Sequence, residues 1–533
     1  MMPGVKPWFF VKLLQKNMTE VTLPPLIQQM LQPEFYPHPV TEPIQLSQTH
    51  VSYVLLTGDY AYKLKKTVNF GFLDFSTLEK RQHFCQEELR LNQRGAAELY
   101  LEVLPITQEG EKYHLGGTGE PVEYVLKMRE FPQETLLSNL FAQGKLNEAH
   151  LEELGRVVGQ YHAKTETNDY IRSFGEVPQI RAAFDENYEQ TEKYIGGPQT
   201  QQQFDDSKAY TDQFFAERQD LFHKRMQNHR IRECHGDLHL RNICLWQDKI
   251  LLFDCIEFNE PFRFVDVMFD IAYAVMDLEA QARLDLSNAY LNTYLEQTGD
   301  WEGLEVLPIY LNRQSYVRAK VTSFLLDDPG VPAEVKQEAA QTAAKYYKLA
   351  WEYTQPKQGR LILMSGLSGS GKSTTARYLA RQLNAIHIRS DAVRKHLGGI
   401  SLSERGSDDL YTPEMTQKTY ARLLNLGTIL ANQGFTVILD AKYDRQQQRQ
   451  EAISQAQQYQ LPLQIVHCTA PVEVIRERLI NRTGDIADAT VDLLASQLKQ
   501  VETFSAAETP YVHTWDTTQA NEAQLKLLHE KRV

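Results

Sequence analysis

The stretch GLSGSGKS at residues 366–373 constrains the fold more than any other part of this 533-residue chain. It fits the spacing G-x-x-x-x-G-K-[ST], is entered from the apolar run LILM and leads into the helix-patterned TTARYLARQL. Glycines at these positions let successive backbone N–H groups fold around phosphate oxygens, and the N-terminus of the following helix adds partial positive charge. Lys372 brings a mobile cation to the β- and γ-phosphates, and the Ser373 hydroxyl a ligand for Mg²⁺. The runs FTVILDA and LPLQIVHCTA read as further buried strands, so strand and helix alternate, as in a parallel sheet with crossover helices. Residues 356–533 are thus expected to form a domain that binds ATP or GTP through Gly366, Ser368, Gly369, Ser370, Gly371, Lys372, Ser373 and Thr374.

Beyond the loop, HIRSDAVRKHLGG places Asp391 and Arg394 just after a strand end. Asp391 is read as the group that accepts a proton from an attacking hydroxyl, and Arg394 as a holder of an anionic substrate; the plainer alternative is an N-cap aspartate followed by a solvated arginine. Asp440, at the end of FTVILD, is read as reaching Mg²⁺ or its water. Arg478 and Arg482, in VEVIRERLINRTG, are the candidates for neutralising charge on a transferring phosphoryl group, with Arg476 less favoured. These residues resemble the zeta-toxin, polynucleotide-kinase and gluconate-kinase-like group of P-loop kinases, over about residues 359–533. The resemblance implies phosphorylation of a hydroxyl on a small molecule, a nucleotide sugar or a nucleic-acid end.

A second constellation lies upstream. HGDLHLRN at 235–242 matches H-x-D-x-x-x-x-N, the spacing that puts an Asp beside an acceptor hydroxyl and an Asn on Mg²⁺. Asp237 is then the base, Asn242 a metal ligand and His235 a structural buttress. The strand KILLFD delivers Asp254 as a second metal carboxylate. Earlier still, two Tyr- and Val-rich runs flank Thr57-Gly58-Asp59, a hairpin signal suited to covering phosphates. Lys63, with Lys65 as alternative, is placed to touch the α- and β-phosphates. Glu88, or Glu87, on a helix running from about Thr77 to Arg94 and ending at Gly95, is its expected partner. Lys127 to Phe131 is the expected hinge at adenine.

Together these features resemble the aminoglycoside phosphotransferase and choline kinase branch of the protein-kinase-like fold, across about residues 40–350. RFVDVMFDIAYAVMDL adds to the likeness, with Asp266 and Asp270 either touching the catalytic loop or capping a helix. Two departures stand out: the hairpin has the single Gly58, and Asp254 is followed by Cys-Ile rather than Phe-Gly. Both halves in this order look like a bacterial fusion of an aminoglycoside-phosphotransferase-like domain with an ATP-binding domain. The expected fold class is therefore α/β and α+β in two domains, a bilobal protein-kinase-like fold (21–355; small lobe about 40–130, large lobe about 131–355) followed by a P-loop kinase fold with a parallel β-sheet.

A formal net charge of −13 argues against a protein that coats nucleic acid. Five cysteines without disulfide or metal spacing fit a reducing cytoplasm, and no apolar run reaches the length of a membrane span. Residues 1–20 read as a disordered leader, with Met18 an alternative start. The leading expectation is a cytoplasmic kinase with two ATP·Mg²⁺ sites acting on small-molecule hydroxyls. The rivals are a nucleotide-sensing module that controls the other half, and a toxin-like kinase of nucleotide-sugar or RNA ends.

Overall fold

The computed structural model describes residues 23–481, 486–488, 490–522 and 524–525. The leader, Met18 and Arg482 lie outside them. The chain forms two compact units. The first comprises the described residues up to Asn147 with Lys164–Asp277 and Arg313–Lys348; the second comprises Glu148–Ala163, Leu278–Asn312 and the described residues from Leu349 on.

In the first unit, β1 (Gln45–Gln48), β2 (Ser52–Leu56), β3 (Tyr60–Lys65), β4 (Tyr100–Glu109), β5 (Lys112–Leu115) and β6 (Pro121–Arg129) form an antiparallel sheet in the order β1-β2-β3-β6-β4-β5. The β2–β3 turn is the expected hairpin, closed by Thr57 N–H donating to Tyr60 O at 2.9 Å. Strand alternation puts Tyr62 and Leu64 into a core with Leu55, Ile106 and Val125. The same alternation sends Lys63 and Lys65 to the opposite face, where both meet the helix Leu78–Ala96. Thr77 caps that helix, its side chain accepting from Lys80 N–H.

The helix does not stop at Gly95. It continues through Ala96, and Gly95 is there for close approach: a Cβ on it would lie 2.7 Å from Leu252 O and 3.0 Å from Leu252 Cβ. Leu252 ends β9 (Lys249–Leu252), which pairs antiparallel with β8 (Ile243–Trp246). The small pair β7 (Ile231–Glu233) and β10 (Phe264–Asp266) completes the strands of this unit. All five cysteines are buried and none is in a disulfide.

The second unit is built on a parallel sheet in the order β12-β13-β11-β14-β15, with β11 (Arg360–Ser365), β12 (Ile386–Arg389), β13 (Thr436–Asp440), β14 (Leu463–Thr469) and β15 (Val512–Asp516). Ile362, Met364, Ile438 and Val466 are buried against Leu379 and Trp515, which explains the unbroken apolar runs: strands covered on both faces have no polar side. The edge strand β12 is finished by the helix Leu284–Thr298. Asn288 and Asn292 donate to Ala385 O at 2.9 and 3.0 Å, and His387 N–H donates to Asn292 Oδ1 at 2.7 Å. Backbone groups that an edge would leave open are thereby satisfied. Arg381 pairs with Glu148 and Glu152, and Arg422 with Glu302. Among the described residues no helix is long and apolar enough to cross a membrane.

Gly95→Val would force the helix off β9. It is expected to destabilise the first unit by about 1–3 kcal/mol, seen as an earlier denaturant midpoint for that unit's transition; an unchanged midpoint would show the contact to be compliant.

Candidate functional site

In the first unit one carboxylate gathers the upstream parts. Glu88 Oε1 accepts from Lys63 Nζ at 2.6 Å and Oε2 from Lys65 Nζ at 2.6 Å. Lys63 reaches Asp254 Oδ1 at 2.8 Å, and Lys65 is paired with Glu257. Glu88 is thus the helix partner, whereas Glu87 pairs with Arg90. Burial by itself would raise the Glu88 carboxyl, but the two ammonium groups outweigh it and hold it at about 2. Asp254 is half exposed and has φ 63, a left-handed conformation uncommon outside glycine. Its N–H is held by Tyr100 Oη at 3.1 Å.

The loop HGDLHLRN is pinned from behind. Asp270 accepts from His235 N–H at 3.1 Å and Gly236 N–H at 2.8 Å, while Asp266 is paired with Arg225 at 2.6 Å. His235 Nδ1 accepts from Asp237 N–H at 3.3 Å, so Nε2 carries the hydrogen and donates to Phe253 O at 2.8 Å. The imidazole ties the loop to the strand end before Asp254. Asn242 Nδ2 donates to Asp237 O at 3.0 Å and to Asp237 Oδ2 at 3.2 Å. Burial pushes the Asp237 carboxyl up, but His239, Arg318 and His235 prevail and hold it at about 2. His239 was not singled out in the sequence. Its Nε2 lies 3.3 Å from Asp237 Oδ2 and its Nδ1 is buried with no hydrogen-bond partner among the described residues; the signal was its place two residues after Asp237.

In the second unit a cavity of about 1270 Å³ collects most of the remaining candidates. Ser368, Gly369, Gly371, Lys372, Ser373 and Thr374 line it together with Asp391, Arg394, Asp440 and Arg478. Gly366, Gly369 and Gly371 have φ 136, 80 and 93, which the loop requires of glycine. The Ser370 hydroxyl is buried with no partner among the described residues. Lys372 Nζ folds back on Leu367 O at 2.9 Å. Ser368 N–H donates to Gln497 Oε1 at 3.0 Å, and Gln497 Nε2 donates to Ser368 Oγ at 3.1 Å. A side-chain amide thus holds a group that a phosphate would take.

Asp391 sits in the first turn of the helix Ser390–Leu397 but is not its cap, a place taken by Arg389. Burial raises its carboxyl above the ordinary value, opposed by Arg389 and seconded by Asp440. Arg394 is not solvated: it is buried, donates to Leu410 O at 2.8 Å and lies over the Tyr411 ring at 5.1 Å. Asp440 is buried and bonded to His387 Nε2 at 3.0 Å. Arg478 donates to Thr517 Oγ1 at 2.8 Å, and Thr517 in turn donates to Ser370 O at 2.7 Å, so that arginine is anchored against the glycine loop.

Both donor sets suit Mg²⁺. Asn242 offers a carboxamide oxygen and Asp254 a carboxylate oxygen beyond the one on Lys63; in the other unit Ser373 and Asp440 share one cavity. These are hard oxygen ligands, with no competing thiolate or imidazole set among them.

Glu88→Ala strips the buried Lys63 and Lys65 of a shared counter-ion. The expected cost is about 3–5 kcal/mol in the first unit, with nucleotide affinity at that unit lost as Lys63 loses its orientation. Calorimetric unfolding and ATP titration would check both; full affinity in the variant would remove Glu88 from the site.

Residues 79–307 match the family model of the Phosphotransferase enzyme family, and residues 361–504 that of an AAA domain. The chain is 31% identical over 469 residues to the uncharacterized protein Rv2004c of Mycobacterium tuberculosis (strain ATCC 25618 / H37Rv), covering 86% of this chain and 91% of that protein. Among solved structures it is similar to a choline/ethanolamine kinase family protein from Mesorhizobium loti (10% identity, 62% of this chain and 99% of that chain, TM-score 0.37). A second is a gluconokinase from Sinorhizobium meliloti 1021 (22% identity, 33% and 96%, TM-score 0.24). The chain belongs to the family of the mycobacterial protein, in which a phosphotransferase domain is followed by a P-loop kinase-like domain.

Proposed function

We propose that the protein is an ATP-dependent kinase with two phosphoryl-transfer sites, each serving a hydroxyl group on a small molecule. The observation that carries the reading is convergence. Lys63, Glu88, Asp237, Asn242 and Asp254 come from four separate stretches of chain: Lys63 bonds both Glu88 and Asp254, Asn242 bonds Asp237, and the backbone bond from Phe253 N–H to Asn242 O ties the two groups together. In the second unit the glycine loop opens on a cavity large enough for a nucleotide and a second molecule, with Asp391 on its wall.

At the first site Lys63 positions the triphosphate and Asp237 holds the acceptor hydroxyl in line with the γ-phosphorus. The acceptor oxygen forms the new P–O bond as the bond to ADP breaks, and ADP leaves. A carboxyl held at about 2 is a weak base, so Asp237 works chiefly by orientation and takes the proton only as transfer completes. Bound Mg²⁺ would supply charge neutralisation between the β- and γ-phosphates. At the second site Lys372 and the loop amides hold the phosphates, Arg478 lies where charge develops, and Asp391, with its raised carboxyl, is the better proton acceptor. ATP is the expected donor, with GTP as the alternative the loop itself does not distinguish.

Asp237→Ala is expected to abolish transfer at the first site and Lys372→Ala at the second, each leaving the other intact. The readout is mass spectrometry of a metabolite extract incubated with Mg·ATP; full activity in both variants would refute the assignment.

The carboxyls also set opposite acid limits. Each site needs its aspartate ionised, so activity falls as pH drops through that group's pKa. Asp237 is depressed to about 2 and Asp391 is raised. Activity in the Lys372→Ala protein should therefore persist to lower pH than activity in the Asp237→Ala protein. The reverse order in the two pH–rate profiles would overturn these roles.

A further inference from the structure

The acceptor side of the first site carries an unusual charge for a chain with net charge −13. Asp277 accepts from Leu240 N–H at 3.4 Å and pairs with Arg318 at 3.3 Å. It thereby fixes a guanidinium against the loop that bears Asp237. Arg318 remains under-satisfied: its Nε is buried and has no hydrogen-bond partner among the described residues. Arg241, exposed in the same loop, forms no ion pair among the described residues. A third guanidinium, Arg313, lies over the Phe269 ring at 4.8 Å; Phe269 packs on Tyr273, and Tyr273 on His239.

Arg318, Arg241 and Tyr273 thus stand around the loop of Asp237, with Asp277 as the carboxylate paired to Arg318. The nucleotide side is chemically distinct. There Lys63 and Lys65 are met by Glu88, Glu257 and Asp254, so its cations are already neutralised. Here there is less compensation: Asp277 pairs with Arg318, whose Nε stays without a hydrogen-bond partner among the described residues, and Arg241 forms no ion pair among them. Guanidinium groups left with free N–H donors suit planar or tetrahedral oxyanions, which accept in pairs. An acceptor bearing several ammonium groups would meet like charge here and lose affinity.

We propose that the acceptor at Asp237 is an anionic alcohol, a small molecule carrying a carboxylate or phosphate beside the hydroxyl to be phosphorylated, with Arg318 and Arg241 as its anion holders. This rests on the reading of Asp237 as the phosphoryl-transfer site. The anionic group docks on the guanidiniums and presents the neighbouring hydroxyl to Asp237. The product is then a phosphate ester with one more anionic group than the substrate.

The test uses the full chain carrying Lys372→Ala, so that the second site is silent. A metabolite extract is split on anion and cation exchangers, and each fraction is incubated with Mg·ATP. The molecule whose phosphorylation disappears with Asp237→Ala should come from the anion-exchange fraction. Arg318→Gln should raise its KM by about tenfold or more, a larger factor than its effect on kcat. An Asp237-dependent acceptor retained by the cation exchanger, or by neither, would overturn the proposal.

A second measurement separates this from failure of the phosphotransfer reading. With Mg·ADP saturating, inorganic phosphate is titrated calorimetrically into the Lys372→Ala protein and into the same protein with Arg241→Gln, an exposed position where folding is not at stake. Weaker phosphate binding in the variant supports the anion site whether or not transfer is seen. Equal affinities overturn it, even if Asp237 proves catalytic.

Discussion

Two ammonium groups from one strand and one carboxylate from one helix meet where Glu88 accepts from both Lys63 and Lys65, and much of the first unit is arranged around that meeting. Buried charge is costly unless its partners are fixed, and here they come from distant parts of the chain: β3, the helix Leu78–Ala96, and the loop that supplies Asp254 and Glu257. Gly95 lets the helix lie directly on β9, which delivers the strand end before Asp254. Lys65, the more buried lysine, serves as the inner brace. Lys63 and Asp254 form the outer, accessible edge, where a ligand would be received.

The second unit solves a similar problem with main chain instead of side-chain charge. Its loop carries backbone amides on a turn set by positive φ values, which are in place before any ligand arrives. Gln497 already rests on one of those amides. Phosphate binding is then an exchange of one acceptor for another, so the net gain is smaller than the strength of the new contacts alone.

The residues legible in the sequence were those whose spacing is dictated by local chemistry. GLSGSGKS and HGDLHLRN each lie on one short stretch, and Asp254 follows a strand whose apolar pattern is plain. The choice of Glu88 over Glu87 turned on helix phase, and the phase was fixed only by β3 packing against that helix. Gly95 read as a stop because a glycine at a helix end and a glycine at a close contact look alike until the neighbour, Leu252, is known. Gln497, Asn292 and Arg318 left no trace, since each acts on a partner far away in the chain. His239 was in plain view, two residues from Asp237, but a histidine on a polar loop has too many ordinary uses to be chosen by type alone.

The pair Asn288 and Asn292 has a consequence for the order in which the molecule comes into being. The helix that carries them is synthesised before the strand whose edge it closes. When Ile386–Arg389 emerges, acceptors and donors for its open backbone already exist upstream in the same chain. The earlier helix thus serves the later strand as a built-in template, shielding a sheet edge during the interval when it would otherwise be free to pair with another copy.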